Sequence, residues 1–396
     1  MLKKPARLLG ASGIGILGLI VGNIVPTATC AQDTVRVGIV MPLTGAQGVA
    51  GKQITAAVRL YVQQHGAMVA GKKIELIFRD DGGMPDNSKR LAQELIVNDK
   101  VSILGVGLTP SALAIAPLAT EGKITTVIMV SGTSIVTTRS PYFVRTSFTL
   151  GQQSSIIADW ATKNGSKKVV IVQSDWAPGA EATAVFTAYY TRGGGQILET
   201  IKVPLANPDF APFLQRARDL KPDTLFVFVP NNQAGSFAKQ FVERGMDKTG
   251  IKLIGPGDIT DDDDLPGMSD AIIGTVTAGP YSAYHQSAMN KAYVEAFKKA
   301  NNFRPNNITL GGWDGIHLIY EALKKTNGST DADALIAAMK GAKWESPRGP
   351  ISIDPETRDI VQNVYLRKVE KIDGEFYNVE FATFEGVKDP GKLDPK

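Results

Sequence analysis

From residue 34 onward, short apolar runs rich in β-branched residues alternate with longer segments whose apolar positions recur every three or four residues. VRVGIVM, KIELIFRD, VSILGVG and ITTVIMV read as strands, while the stretches around residues 50–65, 86–99 and 110–121 have helical spacing, with Asp86 or Asn87 as a cap for the second. The pattern restarts near residue 151 with the helical QQSSIIADWATKN, followed by strand-like KKVVIVQ, GQILETIKV, DTLFVFV and IKLIGP. These runs are continuous rather than alternating, as strands buried on both faces of a parallel sheet are. Alternation of this kind predicts an α/β protein built from two similar wound halves. After IIGTVTAGPYS come three more helical segments, AMNKAYVEAFKKAN, ITLGGWDGIHLIYEALKKT and DADALIAAMKGA. The chain then closes on NVYLRKVEKI and EFYNVEFATF, joined by the hairpin signal Asp373-Gly374.

A length of 396 residues, 43% apolar and 21% charged, suits a soluble globular chain of two ordinary domains. The first residues depart from that pattern. Lys3, Lys4 and Arg7 precede the Gly-diluted apolar stretch LLGASGIGILGLIVGNIV and then PTATCAQD, the order of a secretory signal, so residues 1–31 are expected to be removed on export to the periplasm. The many glycines and the small-residue tail argue against a retained membrane anchor. Cys30 is the only cysteine, which rules out an intrachain disulfide and a thiolate zinc site; Thr29 before it is bulkier than a lipid-anchoring site prefers. The formal charge of +4 owes three positive charges to the leader, so the mature chain is nearly neutral. No basic stripe with interleaved aromatics marks a nucleic-acid surface.

Catalytic patterns are missing. GAQGVAGKQ has a Gly-to-Gly spacing one residue too long for a phosphate loop, and Gln53 stands where a magnesium-holding hydroxyl would be. GVGLTP has Pro110 in place of the third glycine of a dinucleotide loop. Both read as turns after strands. His65, His285 and His317 lack a closely spaced second ligand and read as surface or packing residues. The four aspartates at 261–264 lack calcium-loop spacing and read as a solvated loop or helix start. No metal and no cofactor are expected.

What recurs is a strand ending in small polar residues. GLTPSA and VSGTS put Thr109, Ser111, Ser131 and Thr133 at the carboxyl ends of adjacent strands. Ligands bind there in open α/β sheets, and the start of the next helix favours an anion. Each hydroxyl taken alone is equally a helix cap. Two such clusters in one half, without catalytic groups, point to a carboxylate-binding site.

Taken together, VRVGIVMPLTG, FRDDGGMPDNSKRLAQELI, SGTSIVTT, SDWAPGAEA, IGPGDITDDD and SPRGPISIDPETRDIVQNVYLRKVEKIDG resemble, in order and spacing, the periplasmic solute-binding proteins of ATP-driven importers for branched-chain and other hydrophobic amino acids. The resemblance covers the mature chain. It implies two Rossmann-like lobes joined by three strands, residues 32–147 with 280–350 and residues 148–279 with 351–396, crossing near Arg145, Gly279 and Ile353 and closing over a ligand at the hinge. It also implies a monomer that catalyses nothing and delivers its solute to a membrane permease. The ligand carboxylate would be held by Thr109 or Ser111 and by Ser131, Gly132 and Thr133. Asp258, or the adjacent Gly257, falls where the family binds an ammonium group. The expected solute is a small carboxylate, either a branched-chain or bulkier hydrophobic or aromatic amino acid or an aromatic carboxylate; three tyrosines that wall the pocket in close relatives are Ala50, Pro178 and Asn231 here, which favours a ligand larger than leucine, stacked on Trp176 and Tyr281. The alternatives are a ligand sensor of the same fold and a nucleotide-dependent enzyme.

Overall fold

Two parallel sheets organise the chain in the computed structural model, which describes Met1 and residues 34–393. The leader and Cys30 lie outside the described residues. The first sheet is built from Thr34–Met41 (β1), Met68–Val69 (β2), Lys72–Asp80 (β3), Ile103–Gly107 (β4), Thr125–Val130 (β5) and Phe143–Arg145 (β6). Its order is β2-β3-β1-β4-β5-β6, all parallel except the short β2. The connections are Gly48–His65 (α1), Pro85–Val97 (α2) and Thr109–Glu121 (α3). Neither Asp86 nor Asn87 caps α2, which starts a residue earlier at Pro85, where the missing N–H costs nothing.

The second sheet repeats the design. Leu150–Lys163 (α4) leads into Lys168–Ser174 (β7), Ala177–Arg192 (α5), Gln196–Val203 (β8), Ala211–Asp219 (α6), Thr224–Phe228 (β9), Ala234–Glu243 (α7), Lys252–Pro256 (β10) and Val276–Gly279 (β11). Three helices follow: Ala288–Asn301 (α8), Asn307–Lys325 (α9) and Ala332–Met339 (α10). They return to the first lobe, where α9 packs on α1 and β5. Asn306 and Thr309 cap α9 reciprocally. The helix buries Ile316, Leu318, Ile319 and Leu323, each worth about 1.5–3 kcal/mol.

The last strands, Lys343–Ser346 (β12), Gly349–Ile353 (β13), Ile360–Ile372 (β14) and Glu375–Val387 (β15), precede the short Pro390–Leu393 (α11). All four strands join the second sheet, β14 running antiparallel to β11, β13 and β15. Asp373 and Gly374 both take positive φ, the turn that a tight hairpin demands. The chain passes between the sheets after Arg145, after Gly279 and between α10 and β12. That third passage is earlier than Ile353, whose backbone pairs with Gly341 and Ala342 instead. The expected limit at residue 350 falls within β13, a strand of the second sheet.

A buried arginine fastens these passages. Arg348 is 1% exposed; its guanidinium donates to Asp314 of α9, to the carbonyls of Thr146 and Ser147 in the first passage, and to Gln362 of β14. Taking away the carboxylate would strand a buried charge. Asp314→Ala is therefore expected to lower unfolding stability by about 3–5 kcal/mol, measured by urea denaturation. A loss below about 1 kcal/mol would mean that Arg348 finds water or another acceptor.

Candidate functional site

Both lobes turn the carboxyl ends of their strands toward one cavity between them. The first lobe contributes Gln47, Ala50, Leu108, Thr109, Val130, Ser131, Gly132 and Ile308, the second Trp176, Pro178, Phe228, Pro230, Asn231 and Asp258, and the first passage adds Phe148 and Leu150. Eight of the eleven residues singled out from the sequence line it. Thr133 stands one layer behind.

Ser111 and Tyr281 do not line it. The Ser111 hydroxyl is fully buried and donates to Asp81 at 2.8 Å, because the third residue of α3 already faces α2. Tyr281 leaves β11 toward the first lobe, where its ring packs with Leu60, Phe297 and Leu310 and its hydroxyl donates to Asn290. Trp176 is the only one of the two proposed stacking rings at the cavity.

The polar wall is made of neutral groups. Thr109 Oγ1 lies 2.7 Å from Ser131 Oγ and 2.6 Å from Thr133 Oγ1. Three hydroxyls carry three hydrogens and use two between themselves, so one remains to donate to a ligand. Beneath the loop, fully buried Arg145 donates to the carbonyls of Ser131 and Thr133 at 2.8 and 2.7 Å. Since the N–H of a trans peptide points opposite to its C=O, the Gly132 N–H is turned away from Arg145. Neither it nor the Thr133 N–H meets a protein acceptor among the described residues. Gly132 has no room for a side chain, as a Cβ would stand 2.8 Å from Leu150 Cγ. Arg145 is balanced by Asp359 at 2.9 Å, a charge contact whose N–H is not aligned on the carboxylate oxygen. The loop thus gains a cation behind it without exposing one to the cavity.

Leu108, just before α3, has φ +60 and ψ 144, a conformation costly for any side chain but glycine. Its N–H is pinned to the Val130 carbonyl. Such strain sets the direction in which α3 leaves the sheet and so places Thr109 at the cavity.

On the second lobe Asp258 is 6% exposed, and its Oδ2 has no protein partner. Burial pushes its carboxyl up to about 7, opposed by its own backbone N–H and by the Arg367 guanidinium.

The lobes are closed on one another. Gln53 on α1 donates to Asp263 at 2.9 Å and accepts from Asn231 at 3.1 Å. Asn232 donates to the Ala46 carbonyl, and Glu181 on α5 accepts from both the backbone and the hydroxyl of Ser134. The GAQGVAGKQ segment is therefore a loop and helix start that carries cleft residues, not only a turn. Its signal lay in the spacing of Ala50 and Gln53, which share one face of α1.

The aspartate run is the largest departure from expectation. Asp261 and Asp262 are buried rather than solvated: Asp261 accepts twice from Asn306, the cap of α9, and Asp262 from Asn378 of β15. Asp263 and Asp264 accept from Gln53 and from the Gly235 N–H. Among the described residues no group of three His, Cys, Asp or Glu is placed to hold a metal ion, and no helix is long and apolar enough to cross a membrane.

The model of the family described as "Periplasmic binding protein" matches residues 34–375. The chain belongs to that family. This periplasmic binding protein is 41% identical over 384 residues to "Leu/Ile/Val-binding protein homolog 6" of Brucella suis, covering 96% of this chain and 98% of that one. It is 65% identical, with a TM-score of 0.90, to a solute-binding protein of an ABC transporter from Rhodopseudomonas palustris BisB5 in complex with 3,4-dihydroxybenzoic acid, covering 91% of this chain and 99% of the other. A second R. palustris solute-binding protein, in complex with 4-hydroxybenzoate, is 38% identical, with a TM-score of 0.87 and coverage of 91% and 100%.

The raised Asp258 carboxyl sets a pH dependence in the ligand-free protein. The folded chain keeps a proton that the unfolded chain releases near 3.8, so this group's contribution is whole below about 4 and is lost as pH rises through about 7. Asp258→Asn has no such proton and is expected to gain stability relative to the wild type over that window. Urea unfolding at about pH 5 and about pH 8 checks this; the same difference at both values would mean that Asp258 is ionised in the folded protein throughout.

Proposed function

We propose that this protein captures an aromatic carboxylate between its lobes in the periplasm and delivers it, as a monomer, to the membrane permease of an ABC importer, without catalysing a reaction. The observation that carries this reading is the pairing of an uncharged donor wall on the first lobe with a set of apolar and aromatic side chains around the cavity. The Thr109 and Ser131 hydroxyls, backed by Thr133, and the Gly132 N–H suit one carboxylate, while Leu108, Phe148, Leu150, Trp176, Phe228 and Ile308 suit a flat ring. Hydrogen bonds to a charged acceptor contribute about 1.5–3 kcal/mol each, so two or three, with burial of the ring, support micromolar binding without a cation in the cavity.

Replacement of the family's wall tyrosines by Ala50, Pro178 and Asn231 supports a ring-bearing ligand over leucine. So do the hydroxybenzoates held by the two R. palustris relatives. Ligand binding would favour the closed form through the contacts of Gln53, Asn232 and Glu181 across the cleft.

Titration calorimetry with 4-hydroxybenzoate, phenylalanine and leucine tests the reading. We expect 4-hydroxybenzoate to bind with the highest affinity; leucine binding far tighter than the other two would overturn it. The double variant Ser131→Ala, Thr133→Val is expected to bind 4-hydroxybenzoate about tenfold or more weakly. Undiminished affinity would remove the hydroxyl wall from the argument.

A further inference from the structure

Two donors and one acceptor at the cavity are left without protein partners. Trp176 Nε1 and Gln47 Nε2 are buried N–H groups with no acceptor, and Asp258 Oδ2 is a buried oxygen with no donor. All three residues line the cavity, and Gln47 and Asp258 are 8% and 6% exposed. Buried polar groups are rarely left unpaired, so three in one enclosure call for a ligand that supplies the missing partners.

Two of the three stand on the lobe opposite the carboxylate wall. Trp176 precedes α5 and Asp258 follows β10, both on the second lobe, whereas the hydroxyl wall belongs to the first; Gln47 is the residue before α1. Asn231, the remaining polar side chain on the second-lobe wall, is already committed to Gln53. Once ionised, Asp258 Oδ2 repels a second carboxylate and calls for a hydrogen-bond donor. Trp176 can only donate.

A phenolic hydroxyl matches this set. It donates its hydrogen to the aspartate and accepts from an N–H in return. One hydroxyl can donate to Asp258 but would accept from both N–H groups only where these converge on a single oxygen, and Trp176 and Gln47 reach the cavity from opposite lobes. Two hydroxyls on adjacent ring carbons supply an acceptor for each donor and a hydrogen for Asp258.

We propose, resting on the aromatic-carboxylate reading above, that Asp258, Trp176 and Gln47 form a hydroxyl-reading pole, and that this pole selects a carboxylate whose ring carries two adjacent hydroxyls. Asp258 takes the hydrogen of one hydroxyl, and Trp176 and Gln47 donate to the two oxygens. A benzoate without hydroxyls fills the same volume but leaves all three groups unpaired. The pole therefore sets selectivity among benzoates, while the Thr109–Ser131 wall sets affinity for the class. An α-amino acid is handled differently, because its single ammonium satisfies Asp258 but neither N–H.

The test is titration calorimetry of the ligand-free full-length mature protein with benzoate, 4-hydroxybenzoate and 3,4-dihydroxybenzoate, for the wild type and for Asp258→Asn, Trp176→Phe and Gln47→Leu. The expected wild-type order is 3,4-dihydroxybenzoate, then 4-hydroxybenzoate, then benzoate, with at least a hundredfold between the ends. In each variant the ratio of benzoate to 3,4-dihydroxybenzoate dissociation constants should shrink tenfold or more. Trp176→Phe removes the N–H and leaves a smaller aromatic ring; the lost ring contact weakens all three benzoates alike and cancels in the ratio, so the variant answers the question even where Asp258→Asn perturbs folding. Equal wild-type affinity for all three ligands, or variant ratios unchanged from the wild type, would overturn the pole and leave the aromatic-carboxylate reading standing. Failure of every benzoate to bind the wild type would overturn both.

Discussion

The Arg145 guanidinium is the constraint from which the site follows. It sits at the end of β6, where the chain first leaves the first lobe, and takes the carbonyls of Ser131 and Thr133 as its acceptors. Holding those two oxygens fixes the Ser131–Gly132 and Thr133–Ser134 peptide planes, and with them the Gly132 N–H toward the cavity side and the Ser134 N–H toward Glu181. Asp359, at the turn that leads into β14, balances the charge and receives Thr137 as well. One buried cation therefore joins the cavity loop and the first passage between the sheets to the turn between β13 and β14. The field of the guanidinium reaches the cavity only through polarised peptides, which favour an anion without forming a salt bridge to it. A ligand held this way can leave without separating opposite charges.

How far this was legible in the sequence depended on whether each feature was local. The strands could be read because burial on both faces demands uninterrupted apolar runs, and VSILGVG and ITTVIMV satisfy that without ambiguity. The closing hairpin could be read because Asp373 and Gly374 tolerate the positive φ of a tight turn. The hairpin of β12 and β13 gave no such signal: KWES and GPISI are short and half polar, and pairing with β14 decides them.

The site divides along the same line. Thr109, Ser131 and Gly132 were legible because a strand end followed by small polar residues is a local pattern. Ser111 shares that pattern and is taken by Asp81, a residue thirty positions away. Tyr281 has the chemistry of a stacking ring, but the direction in which the chain leaves β11 points it into another core. The aspartate run misled for the opposite reason. Four adjacent carboxylates suggest solvent, yet each has a donor on a different element, Asn306, Asn378, Gln53 and Gly235, that only the closed fold brings near. Arg145 carried no signal for its role, since its partners are main-chain carbonyls, and Gln53 carried only the face it shares with Ala50, since its partners lie on the opposite lobe.

Helix α1 presents Ala50 to the cavity and, one turn later on the same face, Gln53 to the second lobe. The two lie about 4.5 Å apart along a rod that does not bend on that length scale. Whatever displaces the cavity wall at Ala50 must tilt or slide the amide that clasps Asn231 and Asp263. A guest seated against Ala50 would thus act on the cross-cleft clasp through one rigid lever, with no soft linker between occupancy and grip.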